Sequence, residues 1–404
     1  MNKKPKRIYR LPPCPAYDIE RMESWLESMA EQGYFLCKDG FFAGIAAFEK
    51  GTPAAVRYRL EAASGSTSIW SDRGGIPDEE ALSISEACGW EYVASRNGFY
   101  IYTAADPAAQ ELNTDPQVQA LALDLVRKRE RGSLISTLIW TAIYPLCMSS
   151  GNILLNAIML GTWLYLLGTA LVAWAALSSF VKVLHLRKLR SRMANGESLN
   201  HKKDWRKRAK WHRAEPCLFL VLALVWGISL FHVWSTAVTE DNVLDLRTYP
   251  EELPFGTMES LIPNGTFQWD DIGFGNTIEV KSDWLAPQVI SFSQIGSVST
   301  DQGVQLKGGL YVDYFETISP WIAKELAREY QNYDRRRNKK YYEEWEAPDL
   351  NVDYASAYSA IFPTLILADG SRMIRISFHS FSDKDILSFE EWATLLAESF
   401  TENG

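Results

Sequence analysis

The sequence predicts an α+β domain, a membrane region of three transmembrane helices, and a second α+β domain. Two observations predict it. Three apolar stretches lie at about 133–150, 153–183 and 216–238, and the hydrophilic segments on either side of them alternate helix and strand signals. Each stretch approaches or exceeds the roughly 20 residues that cross a hydrocarbon core of about 30 Å. The expected boundaries are 1–126 for the first domain, 127–239 for the membrane region with a basic loop at 184–215, and 240–404 for the second domain.

Charge follows the same division. Residues 1–131 carry 16 basic and 19 acidic residues (net −3), residues 132–239 carry 12 and 3 (net +9), and residues 240–404 carry 13 and 28 (net −15). Loops rich in Lys and Arg stay in the cytoplasm, which places the loop from Lys182 to Arg213 inside. The run Arg127, Lys128, Arg129 and Arg131 ahead of the first stretch agrees, and the uncharged Ser149–Asn152 suits a short outer turn. The expectation is a multi-pass protein of the cell membrane, with a cytoplasmic N-terminus and an extracellular C-terminus. Leu11-Pro12-Pro13-Cys14-Pro15 is no apolar signal core, so the first span is expected to start insertion. All five cysteines precede residue 240, so the exported domain is expected to rely on its core and not on disulfides.

In the first domain, Asp18 opens a helix to about Gln32. Ile19, Met22, Leu26 and Met29 recur at helical spacing, and Gly33 stops it. Strands follow at Tyr34–Lys38 and Phe41–Phe48 about a turn at Asp39-Gly40, then at Val56–Glu61. A second helix over Asp78–Ala87, ended by Gly89, leads to Trp90–Ala94, Asn97-Gly98 and Phe99–Thr103. The segments EQGYFLCKDGFFAGIAAF and EACGWEYVASRNGFYIYT share one pattern, so the domain reads as a duplicated helix–hairpin unit. Two helices on an antiparallel sheet of about five strands are expected. Its aromatics read as core, with an exposed aromatic face for a partner as the alternative; its acidity argues against direct nucleic-acid binding.

KRIYRLPPCPAYDIERMESWLESMAEQGYFL, FFAGIAAFEKGTPAAVRYRLE and EACGWEYVASRNGFYIY together make residues 1–105 resemble a bacterial family known as domain of unknown function 2812. GESLNHKKDWRKRAKWHRAE is similar to an inter-span loop of its longer members. The resemblance implies a membrane protein, with a PadR-type transcription regulator, a frequent gene neighbour of the family, as a partner. It implies no activity and carries over no functional residue.

The basic loop holds Arg187, Lys188, Arg190, Arg192, Lys202, Lys203, Arg206, Lys207, Arg208, Lys210 and Arg213, with Trp205 and Trp211 interleaved and a break at Asn195-Gly196. Its expected role is contact with anionic headgroups of the bilayer, each basic residue contributing about 1 kcal/mol near the surface. An acidic partner or a nucleotide is the sharper alternative. His232 is the one ionisable side chain expected clearly within a span; near the span's outer end beside Trp234 it is expected at the interface, with an intramembrane functional role as the alternative. No Asp or Glu falls inside the expected spans, which argues against proton-coupled transport. Three helices need a homo-oligomer to form a conduit.

In the second domain, strands are expected at Thr266–Trp269, Thr277–Val280, Val289–Gln294, Val304–Lys307 and Gly309–Phe315. A helix over Ser319–Tyr342 carries Trp321, Ile322, Leu326 and Tyr330 on one stripe. Then come a hairpin, Phe362–Leu367 and Met373–Phe378 about Asp369-Gly370, and a final helix opened by the capping box Ser388–Glu391 with Trp392, Leu395 and Leu396 inward. The basic run Arg335–Arg337, Lys339 and Lys340 is expected to be solvated, or to pair with Glu343 and Glu344 at helical spacing.

His379 is the one histidine here, and the first domain has none. That argues against Ser-His-Asp, Cys-His and His-rich zinc chemistry in both, His379 reading as a satisfied surface or core histidine. The acid pairs Asp270/Asp271, Glu343/Glu344 and Glu390/Glu391 read as solvated, and no cofactor or metal is expected. The expected function is a non-enzymatic, membrane-anchored sensor or regulatory adaptor linking an extracytoplasmic domain to a cytoplasmic protein-binding one. A structural or accessory subunit of an envelope or transporter complex is the alternative, and a hydrolase using exported carboxylates a third reading.

Overall fold

Residues 7–104 use one folding unit twice, in a computed structural model that describes residues 7–42, 44–63, 76–113, 115–149, 151–239, 242–262, 264–270, 275–299, 305–381 and 387–402. Strand β1 (Arg7–Arg10) leads to helix α1 (Ile19–Glu31) and the hairpin of β2 (Tyr34–Phe42) and β3 (Ile45–Lys50). The order repeats as β4 (Arg57–Ala62), α2 (Glu79–Ala87), β5 (Glu91–Arg96) and β6 (Phe99–Ala104). In both units the leading strand pairs with the last, giving sheets β1-β3-β2 and β4-β6-β5. The single sheet of about five strands is therefore corrected to two antiparallel sheets of three. β1 was not expected because its four mostly exposed residues show no alternation.

The stripe Ile19, Met22, Leu26 and Met29 is buried as its spacing requires, with Trp25 beside it. Gly33 ends α1 at φ +80°, and Asn97-Gly98 (φ +47° and +83°) makes the expected tight turn. Asp39-Gly40 is not a turn. β2 runs through it with a register shift between Leu36 and Phe41, and the chain reverses after Phe42 with Gly44 at φ +79°. A dipeptide that favours positive φ suits a bulge as well as a turn.

Four helices follow: α3 (Pro116–Ser149), α4 (Ile153–Leu160), α5 (Thr162–Ala194) and α6 (Arg206–Thr239). Among the described residues two segments are long and apolar enough to cross a membrane, Thr162–Ala194 and Ala209–Thr236, not the three expected. The 133–150 stretch is the end of α3. Ser133, Ser136, Thr137 and Thr141 thin its apolar run, and the side chains of 145–150 lie outside the described ones. The 153–183 stretch is split at Gly161 (φ +97°), so α4 is a separate eight-residue helix. α6 passes through Pro216 and brings Glu215 inside the second candidate span, against the expected absence of acids there. The break at Asn195-Gly196 separates α5 from α6, and not two short helices.

The chain divides into two compact units. One holds residues 1–142 and 170–224, the other 143–169 and 225–404, so each boundary falls inside α3, α5 or α6. In the first unit Ala120, Leu123 and Val126 of α3 and Leu186, Leu189 and Met193 of α5 join the core built on α1. In the second, α3, α5 and α6 meet at Gly168. A Cβ there would press on the Tyr144 hydroxyl and lie 2.7 Å from Trp226 Nε1, so a larger residue would make these two side chains shift.

The second unit continues with β7 (Val243–Asp245), β8 (Thr266–Trp269), β9 (Thr277–Lys281), β10 (Gln288–Ser299), β11 (Gln305–Glu316), α7 (Pro320–Arg337), β12 (Glu343–Trp345), β13 (Tyr354–Ser359), β14 (Pro363–Asp369), β15 (Arg372–Ser380) and α8 (Phe389–Glu402). The strands form one antiparallel sheet of nine, in the order β12-β13-β14-β15-β11-β10-β9-β7, with β8 also on β10. One face packs on α8 through Phe292, Tyr314, Ile376, Trp392 and Phe400; the other packs on α7 through Phe315, Ala323, Leu326, Tyr330 and Ile366.

Gly308, expected between two strands, lies inside β11, which runs through both expected strands and whose described part starts at Gln305; Val304 lies outside the described residues, as does Asp271. Trp321 leaves the buried stripe of α7 and is 67 % exposed. α7 stops at Arg337, and Glu343 and Glu344 are strand residues facing Ser359 and Tyr358, so the helical pairing with the basic run does not occur. The Ser388 capping box forms, Ser388 N donating to Glu391 Oε2 at 2.8 Å and Glu391 N to Ser388 Oγ at 3.3 Å.

Candidate functional site

The register of the nine-stranded sheet puts polar residues where a buried face would ordinarily be apolar. Glu279, Ser291, Asp313 and Arg375 are successive cross-strand partners on β9, β10, β11 and β15. Two residues along, Thr277, Ser293, Tyr311, Ser377 and Thr364 form a second row reaching β14. Directly opposed residues share a face, here the one α7 covers. α7 ends at Arg337 and its cap Asn338 borders the remaining gap, so the two rows floor a pocket of about 440 Å³.

Arg375 organises the floor. Its guanidinium lies 3.2 Å from Asp313 Oδ2 and 2.9 Å from Asp334 Oδ2. Tyr330 donates to Asp313 Oδ2 at 2.9 Å, Tyr358 donates to Asp334 Oδ2 at 2.6 Å, and Ser291 donates to Asp313 Oδ1 at 3.2 Å. Burial works against the charge on Arg375, but the two carboxylates outweigh it and hold the group protonated far above its ordinary range. Burial raises the Tyr330 and Tyr358 hydroxyls, so both stay neutral donors. Tyr311 and Phe362 stack at 5.9 Å, and His379 packs 4.7 Å from Phe362. His379 is thus part of an aromatic stack.

The first unit carries a second polar assembly. Glu20, Glu23 and Glu27 recur along one side of α1. Glu27 Oε1 accepts from Tyr58 N at 3.3 Å, and Glu23 Oε1 from Leu60 N at 2.8 Å, which closes the free edge of β4. Arg59 bridges Glu27 at 3.0 Å and Glu111 at 2.9 Å. The other carboxylate oxygens meet the basic loop. Glu20 pairs with Arg192 (3.2 Å) and Lys203 and accepts from Asn200 N at 3.0 Å; Glu23 pairs with His201. Burial pushes Glu20 up, but Lys203, Asn200 N–H and Arg192 outweigh it and bring its pKa down to about 2. Lys182 reaches Glu130 at 2.6 Å and Arg190 reaches Asp124 at 3.2 Å, both on α3.

Residues 18–131 match the model of a family described as a protein of unknown function, DUF2812. No curated protein and no solved structure matches the chain. The carboxylates of the assembly, from Glu20 to Glu130, lie inside the DUF2812 region, and the cations Lys182, Arg190, Arg192 and Lys203 come from the segment after it.

The basic-loop residues thus divide. Arg190, Arg192 and Lys203 are engaged with the DUF2812 region. Arg187, Lys188, Lys202, Arg206, Lys207, Lys210, Arg213 and Trp211 are exposed, Trp205 packs against the domain core beneath Arg206, and the Arg208 side chain lies outside the described ones. His232 is exposed on α6 inside the second candidate span. Sequence reasoning missed Glu20, Glu23, Arg375, Asp313 and Asp334, and Glu215, which accepts from Trp174 Nε1 at 3.3 Å and Ser178 Oγ at 3.1 Å. Among the described residues no group of three or more His, Cys, Asp or Glu side chains is placed to hold a metal ion.

Proposed function

We propose that the protein is a non-enzymatic, membrane-anchored sensor, in which the sheet domain receives a ligand outside the cell and the DUF2812 region engages a soluble regulator inside. The observation that carries this reading is the anchoring of α5. Its first residue, Thr162, is held by Asp283 of the sheet domain, and its last turns are held through Arg190 and Arg192 by Asp124 and Glu20 of the DUF2812 region. One apolar helix is tied at each end to a different folded unit, as a transmitting element requires. The pocket supplies a place for the signal to enter. A PadR-type transcription regulator is the proposed cytoplasmic partner.

This reading needs an odd number of crossings, so α3, which is not one of the two segments apolar enough to cross by themselves, would have to be the third; the approach of its Tyr144 to Gly168 of α5, beside Trp226 of α6, is what supports it. Alkaline phosphatase fused after residue 404 should be active and a fluorescent protein at the same point dark. The opposite result would put both domains on one side and end the transmembrane reading. Removing residues 240–404 should change the transcript profile of the host, and an unchanged profile would count against a sensor.

A second reading, an accessory subunit of a membrane complex, has its own support. None of the apolar window of α6 is buried within the chain, which leaves it to lipid, a second copy or another protein. In-cell crosslinking that captures polytopic membrane proteins and no soluble regulator favours it.

A further inference from the structure

We propose that the pocket on the α7 face of the nine-stranded sheet binds a small neutral saccharide. This rests on the sensor reading and names the class of ligand the sensor would take.

Charge excludes one class first. The cation in the floor, Arg375, already faces Asp313 and Asp334, and the acid Glu279 is paired with Lys281 at 2.7 Å. Among the described residues that line the pocket an anionic ligand finds no spare positive charge, inside a domain of net charge −15 over residues 240–404. A strongly cationic ligand would have to compete with Arg375 and Lys281 for the same carboxylates.

The surface left is hydroxyl beside aromatic. Thr277, Ser293, Ser377 and Thr364 lie in one cross-strand row. Thr364 and Ser377 are buried and share a hydrogen bond of 2.8 Å, Thr364 also donating to Phe362 O at 3.0 Å, so Thr277 and Ser293 are the hydroxyls open to a ligand; Ser293 donates to Gly275 O at 3.0 Å and keeps acceptor capacity. Tyr311, in the same row, stacks with Phe362, so hydroxyls and ring faces meet in one space. A sugar ring has the matching division, with hydroxyl groups at its edge and C–H bonds on its face. The volume, about 440 Å³, is near the lower end of the roughly 300–1,000 Å³ typical of ligand pockets, which suits one or two rings and excludes a polymer enclosed along its length.

The test uses the full-length chain in lipid nanodiscs, because glycoside detergents would compete. Glucose, galactose and N-acetylglucosamine are the neutral probes, glucuronate and glucosamine the charged ones, followed by saturation-transfer NMR and calorimetry. At least one neutral sugar should bind saturably, with glucuronate and glucosamine at least tenfold weaker. Thr277→Trp, which fills the floor, and Phe362→Ala, which removes the ring face, should each weaken binding at least tenfold with an unchanged near-UV spectrum. If one variant unfolds, the other decides. The proposal is overturned by no saturable neutral binding into the tens of millimolar, by preference for a charged probe, or by binding that both folded variants leave unchanged. The effect of removing 240–404 on transcripts is independent of these outcomes, so the ligand class can fail while the sensor reading stands.

Discussion

Asp283 accepts two hydrogen bonds from Thr162, from the backbone N–H at 2.7 Å and from the hydroxyl at 2.5 Å. A carboxylate at a helix start satisfies an orphan donor and complements the positive end of the helix dipole. Beside it Trp284 stacks on Trp163 at 5.2 Å, and Glu329 accepts from Ile153 N and Leu155 N at 2.9 Å each. Asp283→Ala should cost about 1–2 kcal/mol of local stability. Amide exchange in the first turn of α5 should accelerate roughly five- to thirtyfold, with the sheet amides unchanged. Equal protection in wild type and variant would show that the contact does not anchor α5.

Arg375 sits where its loss cannot be relaxed. Arg375→Met leaves Asp313 and Asp334 facing each other beneath α7 with their tyrosine donors but no cation. Breaking a buried pair from one side typically costs about 3–5 kcal/mol. Denaturant unfolding should show that loss, and adding Asp313→Asn and Asp334→Asn should recover part of it. A single-variant effect below about 1 kcal/mol would mean the triad is solvated.

The reasons that Arg375 was hidden and the hairpin holding it was legible are the same. Between Ile374 and Ile376, an arginine reads as the solvent side of an alternating strand. Only the central place of β15 between β11 and β14 puts that side under α7. Nothing local distinguishes the two cases, although Tyr330 and Asp334, one helical turn apart on α7, are both buried and aimed at it. Glu20, Glu23 and Glu27 did leave a trace, an acidic row at helical spacing beside the apolar stripe of α1. An acidic row on a helix is ordinarily solvated, and the chain that covers Glu20 and Glu23 lies more than 150 residues away. The span count failed for a further reason. Apolar length alone does not reveal Gly161, which separates α4 so that Leu155 and Ile158 enter the core under α7.

Two glutamates should give the first unit opposite pH responses. The Glu61 pKa is raised to about 7, first by burial and then by the charges of Glu23 and Glu111. Its folded value exceeds its unfolded one, so its stabilising contribution is complete below about pH 4.5 and is lost as pH rises through 7. Glu61→Gln should therefore stabilise the protein at pH 8, on the order of 2 kcal/mol, and leave it unchanged near pH 4. Glu20 behaves in the opposite sense. Its folded value, about 2, lies below the unfolded one, so its contribution is complete above about pH 4.5 and fades as pH falls toward 2. Exchange protection over residues 192–203 should fall in that acid window and be low at all pH values in Glu20→Gln. A loop whose protection ignores both pH and the variant would not be held by Glu20.

Gly40 gives the sharpest test of the corrected β2. A Cβ on Gly40 would stand 2.6 Å from Cys37 O and 2.9 Å from Ala47 O, both backbone atoms that cannot move aside without opening the β2–β3 ladder. Asp39 already takes φ +53° to make the bulge, so the neighbouring residue has little freedom to absorb a side chain. Gly40→Ala should destabilise the first unit by about 1–3 kcal/mol, as overpacking in a closed site does. Gly44→Ala meets no atom within 4 Å and bears only the strain of φ +79°, so its cost should be smaller, about 1 kcal/mol. Thermal unfolding of both variants measures the difference. If Gly40→Ala is the milder of the two, Asp39-Gly40 is an open turn after all, and β2 ends where the Asp-Gly pair first suggested.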